Sequence, residues 1–112
     1  YLDPAAWTQK NAVLDDWCEK EKRDPSAIMR SVNVGFYLGS DHAGAARGEA
    51  VFREHWPAEE KRRGFLRGTP RRAIDMVEAY RDAGVERLNI ALRQGPYDWD
   101  ALQAFAEQVL PA

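Results

Sequence analysis

Arg63-Gly64-Phe65-Leu66-Arg67-Gly68-Thr69-Pro70 is the stretch on which the reading of this chain turns. Gly68 can turn the backbone sharply, Thr69 can offer its hydroxyl to the free amides of a following helix, and Pro70 loses nothing at a first helical position. The sequence therefore predicts a helix from Arg71 to Ala83, with Ala73, Ile74, Val77 and Tyr80 recurring along one face. Gly84 stops it, and Val85-Glu86-Arg87-Leu88-Asn89-Ile90-Ala91-Leu92 alternates as a strand does. A helix docked on the strand it feeds is the unit of an α/β protein.

Working outward, Asp3-Pro4 reads as a cap and first turn, and Ala5 to Lys22 as a long helix. Its buried side is expected to carry Trp7, Val13, Leu14, Trp17 and Cys18. Cys18 reads as a packing residue, since no basic neighbour in the pattern would make its thiol reactive. Arg23-Asp24-Pro25-Ser26 ends this helix and caps a short turn. Ser31 to Leu38 follows as a strand with Val32, Val34, Phe36 and Leu38 on one face. The opposite face, Ser31, Asn33, Gly35 and Tyr37, suits either the lining of a ligand space or an exposed edge, and Gly35 marks a close approach to the backbone.

Asp41 is expected to cap the next helix, Ala43 to about His55. Ser40, Asp41 and His42 point in different directions and cannot form a working triad among themselves; His42, just past a strand, is an acid/base and cofactor-binding candidate. His55 has no ligand-like spacing to His42 or Cys18, so no metal site is expected. Lys61, Arg62, Arg63, Arg67, Arg71 and Arg72 form a dense basic patch around the helix start at Pro70. Arg67, Gly68 and Thr69 are thus candidate anion or cofactor-phosphate residues, unless Glu59 and Glu60 neutralise the patch. After the second strand, Arg93 to Tyr97 is a loop, and Asp98 caps a last helix with Trp99, Leu102, Phe105, Ala106 and Val109 on its buried stripe.

The length of 112 residues suits one segment, 1–112, and the net charge of -2 gives no electrostatic case for a nucleic-acid partner. A single cysteine excludes an internal disulfide framework, and four tryptophans with abundant aliphatics exclude a disordered tail. No apolar run approaches the ~20 residues of a membrane span, so no membrane partner is expected and the cytoplasm is the default location. Tyr1 in place of Met points to a processed product, a fragment or an excised domain.

A resemblance gathers these elements. Leu14-Asp15-Asp16-Trp17-Cys18, Arg23-Asp24-Pro25-Ser26-Ala27-Ile28, Ser31-Val32, Leu66-Arg67-Gly68-Thr69-Pro70, Ala79-Tyr80-Arg81-Asp82-Ala83-Gly84-Val85 and Phe105-Ala106-Glu107-Gln108-Val109-Leu110-Pro111 together resemble the carboxyl-terminal third of the luciferase-like flavin- or deazaflavin-dependent oxidoreductases and monooxygenases. The chain departs from that pattern at Arg71 and Arg72, where the family usually has acidic residues, and in the variable insertion before them. The resemblance implies the last two β/α units of a (β/α)8 TIM-type barrel, in the order helix, strand, helix, short helix, helix, strand, helix. It also implies FMN or deazaflavin and a small-molecule substrate in the complete enzyme, with most of the catalytic surface upstream of Tyr1. By barrel geometry, Leu38 to His42, Arg67 to Thr69 and Arg93 to Tyr97 would lie on the active face. Two strands alone are marginal in water, so either the rest of the barrel or a second copy is expected to complete the sheet, and the chain is not expected to be catalytic alone.

Overall fold

A computed structural model describes residues 1–92 and 98–111. Its centre is strand β1, Ser31–Leu38, a run rich in β-branched and aromatic residues whose even-numbered members are apolar. Val32, Val34 and Leu38 are buried on that side, as the alternation predicts. β1 is not an edge strand. A short strand β2, Phe65–Gly68, pairs with it in parallel from Gly35 to Leu38, and β3, Arg87–Ala91, pairs with it in parallel from Ser31 to Gly35. The sheet order is β2-β1-β3.

β2 corrects the expected element order, which has only two strands. Phe65-Leu66-Arg67-Gly68 shows no period of its own, because it is four residues long, follows Gly64 and ends on Gly68, both at positive φ. The helix signal of Gly-Thr-Pro directly after it dominates the local pattern. The partner decides the outcome: β1 offers the amides of Gly35 and Gly39, which donate to Gly64 O and Gly68 O at 3.0 and 2.9 Å. Three strands with packed helices meet the minimum for independent stability, which removes part of the objection to an isolated chain. The outer edges of β2 and β3 have no partner strand among the described residues.

The helices are α1, Pro4–Lys20; α2, His42–His55; α3, Pro70–Ala83; and α4, Trp99–Ala104, which continues as a π-helical turn Phe105–Val109. The capping residues are largely those the sequence indicates: Asp3, Asp41 and Asp98 each accept a hydrogen bond from the amide three residues on, and Asp24 accepts one from Ser26 N. Thr69 differs. It occupies the cap position before α3 and its carbonyl accepts from Ala73 N, but its hydroxyl makes no capping bond. Gly84 ends α3 in the left-handed conformation, φ 107°, as its place in the sequence requires.

The main core lies on the even-numbered face of β1, where Trp7 of α1, Ala73 and Tyr80 of α3, and Phe105 and Val109 meet Val32, Val34, Leu38 and Leu66. Trp7 also donates its indole N–H to Ser31 O at 2.9 Å. Tyr80 donates to Leu2 O at 2.7 Å, tying the amino terminus down over α3. Some expected core residues are outside it: Val13 and Trp17 on α1 are 52% and 54% exposed, and Trp99 is 72% exposed. Ala106 is exposed too. α1 meets the protein along one narrow line, through Trp7 and Cys18, so the wider stripe read from its sequence has nothing to pack on.

The opposite face carries α2. Phe52 of α2 is fully buried edge-on to Tyr37 and Phe65, and Trp56 and Tyr1 extend the cluster. Gly35 explains how these rings reach the sheet. A Cβ at Gly35 would stand 2.3 Å from Phe65 Cδ1, so the close approach expected at this glycine is that of the Phe65 ring. Toward β3 the same face is open and polar: Ser31, Asn33, Arg87 and Asn89 are exposed.

Two outcomes follow from these contacts. Gly35→Ala should lower the unfolding free energy by roughly 2 kcal/mol, the scale of overpacking a core, read by urea denaturation with circular dichroism. A wild-type midpoint would show that Phe65 has room to move. Burial, aided by the charge of Asp3, pushes the Tyr80 hydroxyl up to about 12 from 10.0. The folded form therefore holds this proton more tightly than the unfolded chain, and stability should fall as pH rises from about 10 to about 12. Tyr80→Phe should flatten that part of the melting-temperature profile; an unchanged slope would assign it to other groups.

Candidate functional site

The carboxyl ends of the three parallel strands bring the β1–α2 turn and the β2–α3 turn side by side, linked by the Gly39–Gly68 hydrogen bond. This places the segments Leu38 to His42 and Arg67 to Thr69 at one end of the sheet. The third expected segment, Arg93 to Tyr97, lies outside the described residues. His42 is the first residue of α2 and is exposed, with no hydrogen-bond partner among the described residues to orient it as a base.

Arg67 is held from two sides. It donates Nε–H to Glu49 Oε2 at 3.1 Å and Nη2–H to Glu49 Oε1, and its guanidinium lies 4.2 Å from the centroid of the Phe52 ring. Arg53, one turn along α2, shares the same carboxylate at 3.3 Å. Glu49 is accordingly held below the usual carboxylate range, chiefly by the Arg67 hydrogen bonds, with Arg53 and Arg72 adding charge and burial opposing. Glu49 does not stand out in the sequence, because its partner Arg67 lies on a strand that the sequence hides.

The basic patch divides in the fold. Arg71 pairs with Asp75 on the exposed side of α3, and the side chain of Arg72 runs beside Gly68. Lys61 is exposed in the 3-10 turn Glu59–Lys61. Arg62 turns inward, donating Nε–H to Trp56 O at 2.7 Å and Nη2–H to Pro57 O at 3.2 Å. Arg63 lies 3.8 Å from Asp3. Arg53, Glu59, Glu60, Arg62, Arg63 and Arg67 line one open recess of about 440 Å³. No protein family, curated protein or solved structure that was compared matches the chain.

A polar chain adjoins this recess. Trp56 donates its indole N–H to the Tyr37 hydroxyl at 3.2 Å, and that hydroxyl stands 3.0 Å from His55 Nδ1. The indole can only donate, whereas the Tyr37–His55 bond can run in either direction according to the imidazole tautomer. Sequence spacing gives no sign of it: α2 has to fold back over β1 before residues 37 and 55 meet. Among the described residues no group of three histidine, cysteine or acidic side chains could hold a metal ion, and no helix is long and apolar enough to cross a membrane.

The Glu49–Arg67 pair supplies a pH-dependent prediction. A carboxylate whose folded value is depressed contributes stability above its unfolded value and loses it as pH falls through the folded one. Wild-type protein should therefore lose melting temperature below about pH 5, and Glu49→Gln should start lower and lose less over that acid range. Parallel acid profiles for the two proteins would mean that the pair contributes nothing measurable.

Proposed function

We propose that this chain is the carboxyl-terminal part of a luciferase-like oxidoreductase or monooxygenase that uses FMN or deazaflavin, acts in the cytoplasm on a small-molecule substrate, and is not catalytic through this segment alone. The ordered sequence series is its origin, and one structural observation carries it. β1 and β3 are parallel neighbours, the chain passing between them through α2, β2 and α3, and Trp7, Tyr80 and Phe105, from α1, α3 and the end of α4, all pack on one face of the pair. The other face presents Ser31, Asn33, Arg87 and Asn89 unburied. Adjacent barrel strands have this division, with helices outside and side chains inside.

The bound flavin or deazaflavin supplies hydride transfer, or oxygen transfer in the monooxygenases. A barrel holds its cofactor at the carboxyl ends of its strands, here Leu38 to His42 and Arg67 to Thr69, so Ser31 and Asn33 at the amino end of β1 would lie away from it. Glu49 engages Nε and Nη2 of Arg67, which leaves only its remaining Nη hydrogens for a phosphate. Thr69 retains a hydroxyl that caps nothing.

The reading makes a structural demand. β2 lies along the edge of β1 that a preceding barrel strand would need, and α2 covers part of the inward face. In a complete barrel, residues 39–68 must therefore be placed differently. Incompleteness is also consistent with a radius of gyration of 15.5 Å, against about 13 Å for a compact domain of this length.

The test joins the coding sequence to its upstream region and titrates the purified product with FMN and with deazaflavin. The parent should bind one of them and the 112-residue chain neither. A parent that binds neither would end this reading.

A non-enzymatic, self-associating α/β module is the second reading, favoured by the exposed Val13 and Trp17 on α1 and by the edges of β2 and β3, which have no partner strand among the described residues. Sedimentation at millimolar concentration would then show dimers or larger species, and a strict monomer would dismiss it.

A further inference from the structure

We infer that the recess between the end of α2, the 3-10 turn Glu59–Lys61 and β2 is a binding site for the phosphoryl group of a small organic phosphate, with Arg53, Arg62, Arg63 and Arg67 as its donors. It differs from the patch around Pro70 that the sequence suggests, since Arg71 and Arg72 are not in its lining and Arg53 is. It requires neither the barrel nor a flavin.

Two of the four guanidinium groups are oriented before any ligand arrives. Arg67 is fixed by Glu49 and the Phe52 ring, and Arg62 by the carbonyls of Trp56 and Pro57, while the more exposed Arg53 makes an ion pair with the same Glu49. Each fixing contact uses one or two of five N–H donors, leaving others for a ligand. Side chains already held in place lose less freedom on binding, and planar guanidinium groups match phosphoryl oxygens in pairs. Glu49, Asp3, Glu59 and Glu60 balance the four arginines in formal charge, so the orientation of the guanidinium groups and not a net positive charge has to supply the affinity. One carboxylate serves both Arg53 and Arg67, and Arg62 rests only on neutral carbonyls. Arg63 has Asp3 at 3.8 Å, beyond hydrogen-bond reach, so its guanidinium can turn to a ligand without breaking a strong contact.

Glu59 and Glu60 oppose this. They line the same recess, so they lower its affinity for an anion and give the site opposite responses to two kinds of substitution. The volume of about 440 Å³ exceeds what one phosphoryl group fills and leaves room for an organic remainder.

The experiment titrates the 112-residue chain with inorganic pyrophosphate at low ionic strength, following amide shifts by NMR and affinity by calorimetry. Shifts should centre on residues 53 and 59–67. Arg63→Ala, at a side chain 69% exposed and so safe for folding, should weaken binding about tenfold, as loss of a charged hydrogen bond does. Arg53→Ala should do the same, the Glu59→Gln/Glu60→Gln double variant should bind more tightly, and Arg71→Ala should bind as wild type. Absence of saturable shifts, equal weakening by Arg71→Ala and Arg63→Ala, or no tightening in the glutamine variant would overturn the assignment.

Discussion

The contact between the Phe65 ring and the bare backbone of Gly35 is the constraint on which both layers of this protein depend. β2 can lie in register along β1 only if that ring has somewhere to go, and the space is the missing side chain at Gly35. Once the ring is there, Phe52, Tyr37 and Trp56 pack around it and α2 is seated. Seating α2 brings Glu49 and Arg53 to Arg67, which creates the recess. The same pairing fixes the start of α3, whose buried Ala73 and Tyr80 close the core on the opposite face.

Much of this was legible in the residues. The alternation of β1, the helix begun by Gly-Thr-Pro, the left-handed Gly84 and the aspartate caps are local signals, and each survives into the fold because tertiary packing agrees with it. β2 was not legible: four residues split by Arg67 carry no periodicity, and the strand exists because a neighbour supplies the matching amides. The apolar stripe on α1 packs less than its spacing implies, for the converse reason. Val13 and Trp17 have the spacing of a buried face, but spacing records only what a helix could cover, and little stands opposite them.

The site divides along the same line. Arg67, Gly68 and Thr69 stand before a helix start, as the sequence indicates, but at the end of a strand, β2, that it does not indicate. Their chemistry was concealed, because Glu49, Phe52 and Arg53 reach Arg67 only across the α2–β2 contact. His42 illustrates the limit of position as a criterion. Following a strand gives it access to solvent, whereas a working base also needs a neighbour that fixes its ring.

The distribution of indoles has a practical consequence. Trp7 is sequestered on one side of the sheet with its N–H donated to Ser31 O, while half-buried Trp56 is packed on the other with its N–H donated to Tyr37. Trp17, with Lys20 above its ring, and Trp99 lie mostly in water. Single-tryptophan versions retaining only Trp7 or only Trp56 would make each layer optically addressable, so that the order in which the two sides of the sheet consolidate during refolding can be followed by emission from inside each one.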